Sequence, residues 1–310
     1  MLPLNDPFAR QSSNKFGFAL AYSYLCDMSK VTASIVTYNA PVDEVKECIE
    51  MLGASCVSQL WIVDNSPEDC LQEVIAGVPA GKIEIKYIQN GKNIGFGAAH
   101  NIAIREAIAE MSDFHLVMNH DVRFSPDVIS QLAEYLKENP DVAQVIPNMI
   151  YPDGKRQDVV RMLPTPLDVF GRRFLPSSLF QKRNARYTLS ARDSVTPLNV
   201  PYHQGSFILF RTRCLEETGG FDERFFLYPE DIDITRRMHE RWRTMYYPKV
   251  TIIHDHRQGS YHSKKLLWIH CTNMIRYFNK WGWWHDPQRR AWNREVQKEI
   301  NHDDALSNKS

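Results

Sequence analysis

Apolar positions follow two rhythms along this chain. Val31–Thr37 forms the first convincing strand pattern, and Leu60–Val63 and Phe114–Met118 read as short buried strands. Ile83–Ile88 alternates apolar and charged residues, as a half-covered strand does. Between these segments, Pro41–Leu52 places Val42, Val45, Ile49 and Leu52 at helical spacing, with Gly53 as its stop. Ala98–Glu110 predicts a strong helix. The strand beginning at Phe114 is expected to run through Asn119 and end at Asp121. Ser125 then reads as the N-cap, and Pro126 as the first position, of another helix. Strands alternating with helices predict an α/β fold with a mostly parallel central sheet and right-handed crossovers.

The rhythm changes after Pro147. Tyr151–Pro201 is rich in proline and arginine with little periodicity, so loops and short pieces over the sheet's carboxyl edge are expected. Ser206–Phe210 and Tyr246–Ile253 read as strands, Gly219-Gly220-Phe221-Asp222 as a turn and Glu230–Trp242 as a helix. Lys264–Lys280 is amphipathic, with Leu267, Cys271, Met274, Ile275 and Phe278 on one side and Trp281, Trp283 and Trp284 following; the residues beyond look frayed. Such a helix suits either packing on the domain or peripheral contact with a membrane surface. Residues 1–30 show no core pattern and read as a leader outside the core, with 31–262 as the main domain and 263–310 as a helical segment and tail.

Charge narrows the function classes. Lysine plus arginine and aspartate plus glutamate number 37 each, so no global field points to nucleic acid. Six cysteines without a C-x-x-C pair suggest reduced thiols and a cytoplasmic setting, and Phe16–Cys26 is too short to span a bilayer.

Three strands end in polar clusters: Thr37-Tyr38-Asn39, Asp64-Asn65-Ser66 and Asn119-His120-Asp121. In a parallel sheet such ends share one edge, where open α/β sheets bind ligands. Asp64 can accept from a base edge or ribose hydroxyl, and Asp121 can offer oxygen to a hard cation serving two phosphates. Each cluster alone is also ordinary turn chemistry. Gly95-x-Gly97 imitates a dinucleotide fingerprint, but His100 occupies the third glycine position, so close backbone approach is the better account of the glycines. Glu230-Asp231-x-Asp233 opens a helix; capping explains one or two of these acids, whereas a general base would explain a carboxylate at an aromatic-walled cleft. His254 is either a surface hydrogen-bonder or a ligand beside Asp121, and His256 shares its face if the strand continues.

These residues stand in a familiar order. Val31–Asn39, Asp64-Asn65-Ser66, Asn90-x-x-Asn93-x-Gly95-Phe96-Gly97-Ala98-Ala99-x-Asn101, Asn119-His120-Asp121, Gly219-Gly220-Phe221-Asp222-Glu223 and Tyr228-x-Glu230-Asp231-x-Asp233 together resemble glycosyltransferase family 2, of the GT-A fold, in its rhamnosyltransferase-like branch. The resemblance covers Val31 to about His262. It implies an inverting transferase that moves a sugar, L-rhamnose by the branch, from a nucleoside-diphosphate sugar to a glycan or lipid-linked acceptor in bacterial surface polysaccharide synthesis, with Mg²⁺ or Mn²⁺. By the same resemblance Thr37, Tyr38, Asn39 and Asp64 would hold the nucleotide, and Asn93, Gly95 and Asn101 would line the donor side. Asn119 stands where the metal motif usually has its first acid, and His120 where proline is usual; Asp121 and His254 would ligate the metal. Asp231 matches the catalytic base, with Glu230 beside it. A non-catalytic sugar-nucleotide-binding protein of the same fold is the alternative, and an NAD-dependent oxidoreductase a more distant one.

Overall fold

The computed structural model describes residues 29–174, 180–190, 196–255 and 264–307. One mixed sheet organises them, in the strand order β3-β2-β1-β4-β8-β6-β9-β5. Its strands are β1 (Val31–Thr37), β2 (Gln59–Asp64), β3 (Glu84–Gln89), β4 (Phe114–Met118), β5 (Val122–Arg123), β6 (Val142–Ile150), β7 (Leu198–Asn199), β8 (Phe207–Arg211) and β9 (Arg243–His254). β1 to β4 are mutually parallel, in the order expected from strands separated by helices. β8 then enters antiparallel to β4 and to β6, so the second half of the sheet is mixed. β9 is parallel to β6, and the two-residue β7 pairs antiparallel with β9.

The first four helices are α1 (Val42–Gly53), α2 (Gln72–Ala76), α3 (Phe96–Ala109) and α4 (Val128–Glu138); α3 packs on β1 and β2 of the parallel half, and α4 on β6, β8 and β9 of the mixed half. α1 buries Val45, Cys48, Ile49 and Leu52, the face its spacing predicted. The irregular stretch contains a π-helical turn over Leu167–Gly171 and the short α5 (Gln181–Thr188). α6 (Thr212–Thr218), α7 (Glu230–His239), α8 (Lys264–Trp281) and α9 (Pro287–Ser307) complete the chain.

Several boundaries depart from the sequence expectations. β4 stops at Met118, so Asn119–Asp121 form a turn rather than the end of a strand. The Asn119 N–H still donates to the Ser206 carbonyl at 2.9 Å, in register with the β4–β8 pairing, and the chain turns at the residues that follow. α4 starts at Val128, because Ser125 binds the Asp127 carboxylate and the Val128 N–H closes a turn onto the Ser125 carbonyl. β6 runs past Pro147 through a register irregularity between Pro147 and Asn148. The residues expected to fray form α9, with Asp286 before Pro287 as a side-chain N-cap: its Oδ1 accepts from the Arg289 N–H at 2.9 Å.

α8 and α9 pack on the sheet domain. Met274, Tyr277, Phe278, Val296 and Ile300 join the continuous core, while Ile275, placed by periodicity on the packing face, is largely exposed. A buried ion pair fastens them to α7: both Arg236 nitrogens reach Asp286, at 2.7 and 2.8 Å. The guanidinium also lies 4.0 Å from the centre of the Trp281 ring. Burial works against charge on Asp286, but Arg236 and the Arg289 N–H hold its carboxyl below the usual range.

A group whose folded pKa is depressed stabilises the fold above its ordinary range and loses that contribution as pH falls. Asp286→Ala is therefore expected to cost about 3–5 kcal/mol, since it strands a buried guanidinium. The deficit should shrink as pH falls below the carboxylate range. Urea denaturation at pH 7 and pH 3.5 measures both; a loss under about 1 kcal/mol at pH 7 contradicts this role.

Candidate active site

Parallel register brings the polar strand ends together. Thr37 pairs with Asp64, Asp64 with Gln89 and Ile35 with Met118, so the loops after β1, β2, β3 and β4 leave one edge. Asp64 is buried, and its Oδ1 accepts from Thr37 Oγ1 at 2.9 Å and from the Ser66 N–H and hydroxyl at 3.0 and 2.6 Å. Its Oδ2 faces the Tyr87 hydroxyl at 3.1 Å, but that hydroxyl also lies 2.9 Å from Asp69. One phenolic proton thus serves two carboxylates, leaving Oδ2 able to accept another hydrogen bond. The Asn39 N–H donates to Ser66 Oγ, and Tyr38 stands 52% exposed beside them.

The loop after β3 is tied to the same edge. Asn93 Oδ1 accepts from the Gly95 N–H at 2.9 Å, and Asn65 Nδ2 donates to the Gly95 carbonyl at 3.2 Å. Gly95 has φ +96°, and a Cβ there would meet the Phe226 carbonyl oxygen at 2.6 Å. Close approach to a neighbouring segment therefore accounts for this glycine. Asn101 lies deeper: its amide exchanges hydrogen bonds with both backbone groups of Phe221 and also donates to Glu223, clamping the Gly219–Phe221 turn.

Asp121 meets His254 across the end of β9. Val122 pairs with His254, and Asp121 Oδ1 lies 3.5 Å from His254 Nε2. Gln157 settles the imidazole's orientation. Its Nε2 donates to the His254 carbonyl at 2.6 Å, which turns Oε1 toward His254 Nδ1 at 3.1 Å, so Nδ1 carries the proton. In the neutral ring, the lone pair of Nε2 then confronts a carboxylate oxygen. A cation, either a proton or a metal, reconciles two electron-pair donors at that distance. This is the arrangement of metal-binding histidines, whose second nitrogen donates to an acceptor behind it. Burial opposes charge on Asp121, but His254 and then His120 outweigh it and hold the carboxyl below its ordinary range. Among the described residues no group of three or more histidines, cysteines or carboxylates converges, so Asp121 and His254 form a two-residue donor set. His256 lies outside the described residues.

α7 carries the second set of acids, and its entry is strained. Tyr228 has φ +93°, a conformation that costs roughly 1–3 kcal/mol for a bulky residue, just before Pro229. The three carboxylates that follow have different surroundings. Asp233 is fully buried and neutralised by Lys280 at 2.6 Å and Arg237 at 2.8 Å, with the Trp281 indole N–H donating at 2.8 Å. Among the described residues Asp231 receives only backbone donors, the Ile232 N–H at 2.7 Å and the Gly205 N–H at 3.1 Å. A Cβ at Gly205 would come within 3.1 Å of Asp231 Cβ, so any larger residue there would push on the Asp231 side chain. Burial pushes the Asp231 carboxyl up to about 7 despite those donors. Glu230 is pushed well above its usual range by burial and then by Asp231, and its Oε2 is buried without a hydrogen-bond partner among the described residues. Gly205 adjoins Ser206, whose carbonyl accepts from Asn119, so Asp231 and the Asn119–Asp121 turn belong to one region.

Sequence reasoning missed Gln157, Tyr202 and Arg161. The Val160–His203 bridge places the 157–161 segment antiparallel to residues 202–204. Arg161 Nη1 thereby donates to the Tyr202 hydroxyl at 3.2 Å, and Arg161 lies within electrostatic range of Asp231. A neighbouring cavity of about 310 Å³ is lined by Asp158, Arg172, Gln181, Asn184, Ala185, Thr188 and Ser190. Aperiodic sequence carries no signal for such contacts.

Comparison with known proteins places this geometry in context. The model of "Glycosyl transferase family 2" matches residues 32–219. The chain is 27% identical over 247 residues to an N-acetylglucosaminyl-diphospho-decaprenol L-rhamnosyltransferase of Mycobacterium tuberculosis, covering 74% of this chain and 77% of that one. It is 26% identical over 253 residues to the rhamnosyltransferase WbbL of Escherichia coli, covering 78% and 90%. Among solved structures, GalNAc-T7 with UDP, GalNAc and Mn²⁺ superposes with a TM-score of 0.54 at 13% identity, over 73% of this chain and 44% of that larger one. S. aureus TarS 1-349 in complex with UDP gives 0.50 at 16% identity, over 79% and 65%. The structural likenesses speak to the fold, and the family match spans most of the sheet and the strand-edge residues: this chain belongs to glycosyl transferase family 2 and is a glycosyltransferase.

Proposed function

We propose that the chain transfers a sugar with inversion from a nucleoside-diphosphate sugar to a hydroxyl of a glycan or lipid-linked acceptor, in bacterial surface polysaccharide synthesis. The two rhamnosyltransferase relatives support L-rhamnose as that sugar. The observation that carries this reading is the environment of Asp231: a buried carboxyl, held by backbone N–H groups and pushed up to about 7, close to the strand edge that holds Asp121. A proton affinity near the working pH suits a general base. That property also favours an enzyme over a sugar-nucleotide-binding protein of the same fold.

In this reading the nucleoside lies over Thr37, Tyr38 and Asn39, with the exposed Tyr38 ring available for stacking and Asp64 Oδ2 for a base-edge donor. Asn93 and Gly95 border the donor. Asn101 supports them by fixing the Phe221 turn, and Asn119 flanks the phosphates. Asp121 and His254 fit Mg²⁺ or Mn²⁺, because a divalent ion commonly takes one or two protein ligands and completes its shell from substrate phosphates and water. When bound, such an ion supplies charge neutralisation for the leaving diphosphate. Asp231 accepts the proton of the acceptor hydroxyl as its oxygen bonds to the anomeric carbon from the face opposite the diphosphate. The old carbon–oxygen bond breaks, the nucleoside diphosphate leaves, and the proton passes from Asp231 to solvent. One displacement inverts the anomeric centre. Glu230, whose carboxyl burial and then Asp231 push well above the usual range, keeps a second negative charge away from the base.

No described helix is long and apolar enough to cross a membrane. Trp268 and Trp284 are 70% and 74% exposed, and Lys264, Lys265 and Arg290 are also exposed. That combination suits peripheral contact with the headgroup boundary, where a lipid-linked acceptor would lie.

Asp121→Asn should leave the fold intact and abolish Mn²⁺-dependent binding of the nucleoside diphosphate. Titration calorimetry with and without Mn²⁺ measures this, and unchanged affinity removes Asp121 from the site. Asp231→Asn should retain donor binding and lose transfer by roughly 10²–10⁴-fold, while wild-type turnover rises with pH through about 7. Asp231 also makes a stability prediction. Its folded pKa is raised, so its contribution is fully present below the unfolded carboxylate pKa and lost as pH rises through about 7. Asp231→Asn should therefore melt at a higher temperature than wild type at pH 8; a lower melting temperature contradicts a raised pKa there.

A further inference from the structure

Arg161 is a charged group without a matching anion among the described residues. Its hydrogen-bonding contacts are phenolic: Nη1 donates to Tyr202 at 3.2 Å, and the guanidinium lies 5.5 Å from the Tyr202 ring centre, with Tyr187 also in hydrogen-bonding reach. Both tyrosines are buried. Arg161 forms no ion pair among the described residues, and its Nε is buried without a partner. A guanidinium cannot shed its proton to escape this setting, and a cation partly withdrawn from water needs a counter-charge. Asp231 and Asp158 are within electrostatic range but not in contact.

A second cation, Arg173, lies close by. His270, on α8, stacks edge-on against Tyr228 with ring centres 5.0 Å apart. Burial, and then the fields of Arg173 and Arg161, lower its pKa to about 4, so its imidazole is neutral while both arginines stay charged. Tyr228 leads directly into Glu230 and Asp231, so these groups border the base from the side of the irregular segment.

We infer that Arg161, with Arg173 beside it, binds a phosphate of the acceptor while the acceptor's hydroxyl lies at Asp231. This inference rests on the proposed assignment of Asp231 as base. The donor's phosphates do not serve as the missing anion, because the chain leads from Gln157 behind His254 to Arg161 over four residues, on the order of 10 Å. The substrate class that fits is a sugar phosphorylated on one side of its ring and attacked through a hydroxyl on the other. Two sources share this chemistry: a sugar joined to a carrier lipid through a diphosphate, and a glycan with phosphodiester links. The tyrosine rings and the two arginines favour the diphosphate.

Calorimetry separates the possibilities. Geranyl diphosphate, geraniol and diglycerol phosphate are titrated into the full chain already saturated with UDP or dTDP and Mn²⁺. Geranyl diphosphate should bind and geraniol should not. Arg161→Gln should weaken that binding by roughly 10- to 100-fold, the worth of one or two charge-assisted hydrogen bonds. Arg161→Lys should fall between Arg161→Gln and wild type, which keeps the test decisive if Arg161→Gln folds poorly. Asp121→Asn should leave geranyl diphosphate binding in place. Tighter binding of diglycerol phosphate would keep the site and assign it to a phosphodiester glycan. Binding that is displaced by nucleotide, lost in Asp121→Asn and indifferent to Arg161, or no binding of either phosphate, overturns the inference. If nucleotide fails to bind while geranyl diphosphate still depends on Arg161, the donor reading falls and the anion site stands.

Discussion

Everything at this site depends on the register of β1 between β2 and β4. Parallel pairing aligns the carboxyl ends of three strands, and a shift of one residue would turn Thr37 and Asp64 to opposite faces. With the register held, a single buried carboxylate, Asp64, gathers Thr37, Ser66 and Tyr87 into one polar floor. β8 enters antiparallel beside β4 and brings Ser206 against Asn119 and Gly205 against Asp231. The same sheet that makes the core therefore links the metal-compatible pair to the helix with the proposed base.

The first turn of α7 shows how environment assigns work to chemically similar groups. Asp233 is enclosed by Lys280, Arg237 and the Trp281 indole and serves to dock α8. Asp231 has backbone donors alone and keeps a high proton affinity. Glu230 has one oxygen without a partner among the described residues, and burial and then Asp231 push its carboxyl well above the usual range. The buried Arg236–Asp286 pair holds the far end of the same helix against α9, so the carboxyl-terminal helices steady the acids from behind.

Much of this was legible from side-chain periodicity and residue type. Buried strands separated by helices announced the parallel half of the sheet, and the polar residues after each strand marked the edge. The second half was harder to read, because β8 reverses direction and pairing direction leaves no trace in a run of apolar residues. The turn after Asn119 was hidden because a strand's end is set by its neighbour, and pairing with the β8 side goes no further than Ser206. α9 was missed because it buries only a narrow seam, including Val296 and Ile300, among many charged residues. Gln157 and Arg161 act through tertiary contacts on an aperiodic segment. Asp231 and Glu230 are neighbours of the same type, and only their partners in the fold separate them.

The central claim is that Asp121 and His254 form a cation site at the strand edge, with Gln157 presenting the His254 lone pair toward Asp121. Pulsed electron paramagnetic resonance of Mn²⁺ bound with a nucleoside diphosphate tests it most directly, because a coordinated imidazole imposes nitrogen modulation on the echo. The account predicts that modulation in the wild-type complex and its loss in His254→Gln. Bound Mn²⁺ with no nitrogen modulation in the wild type, or modulation that survives in His254→Gln, would contradict it.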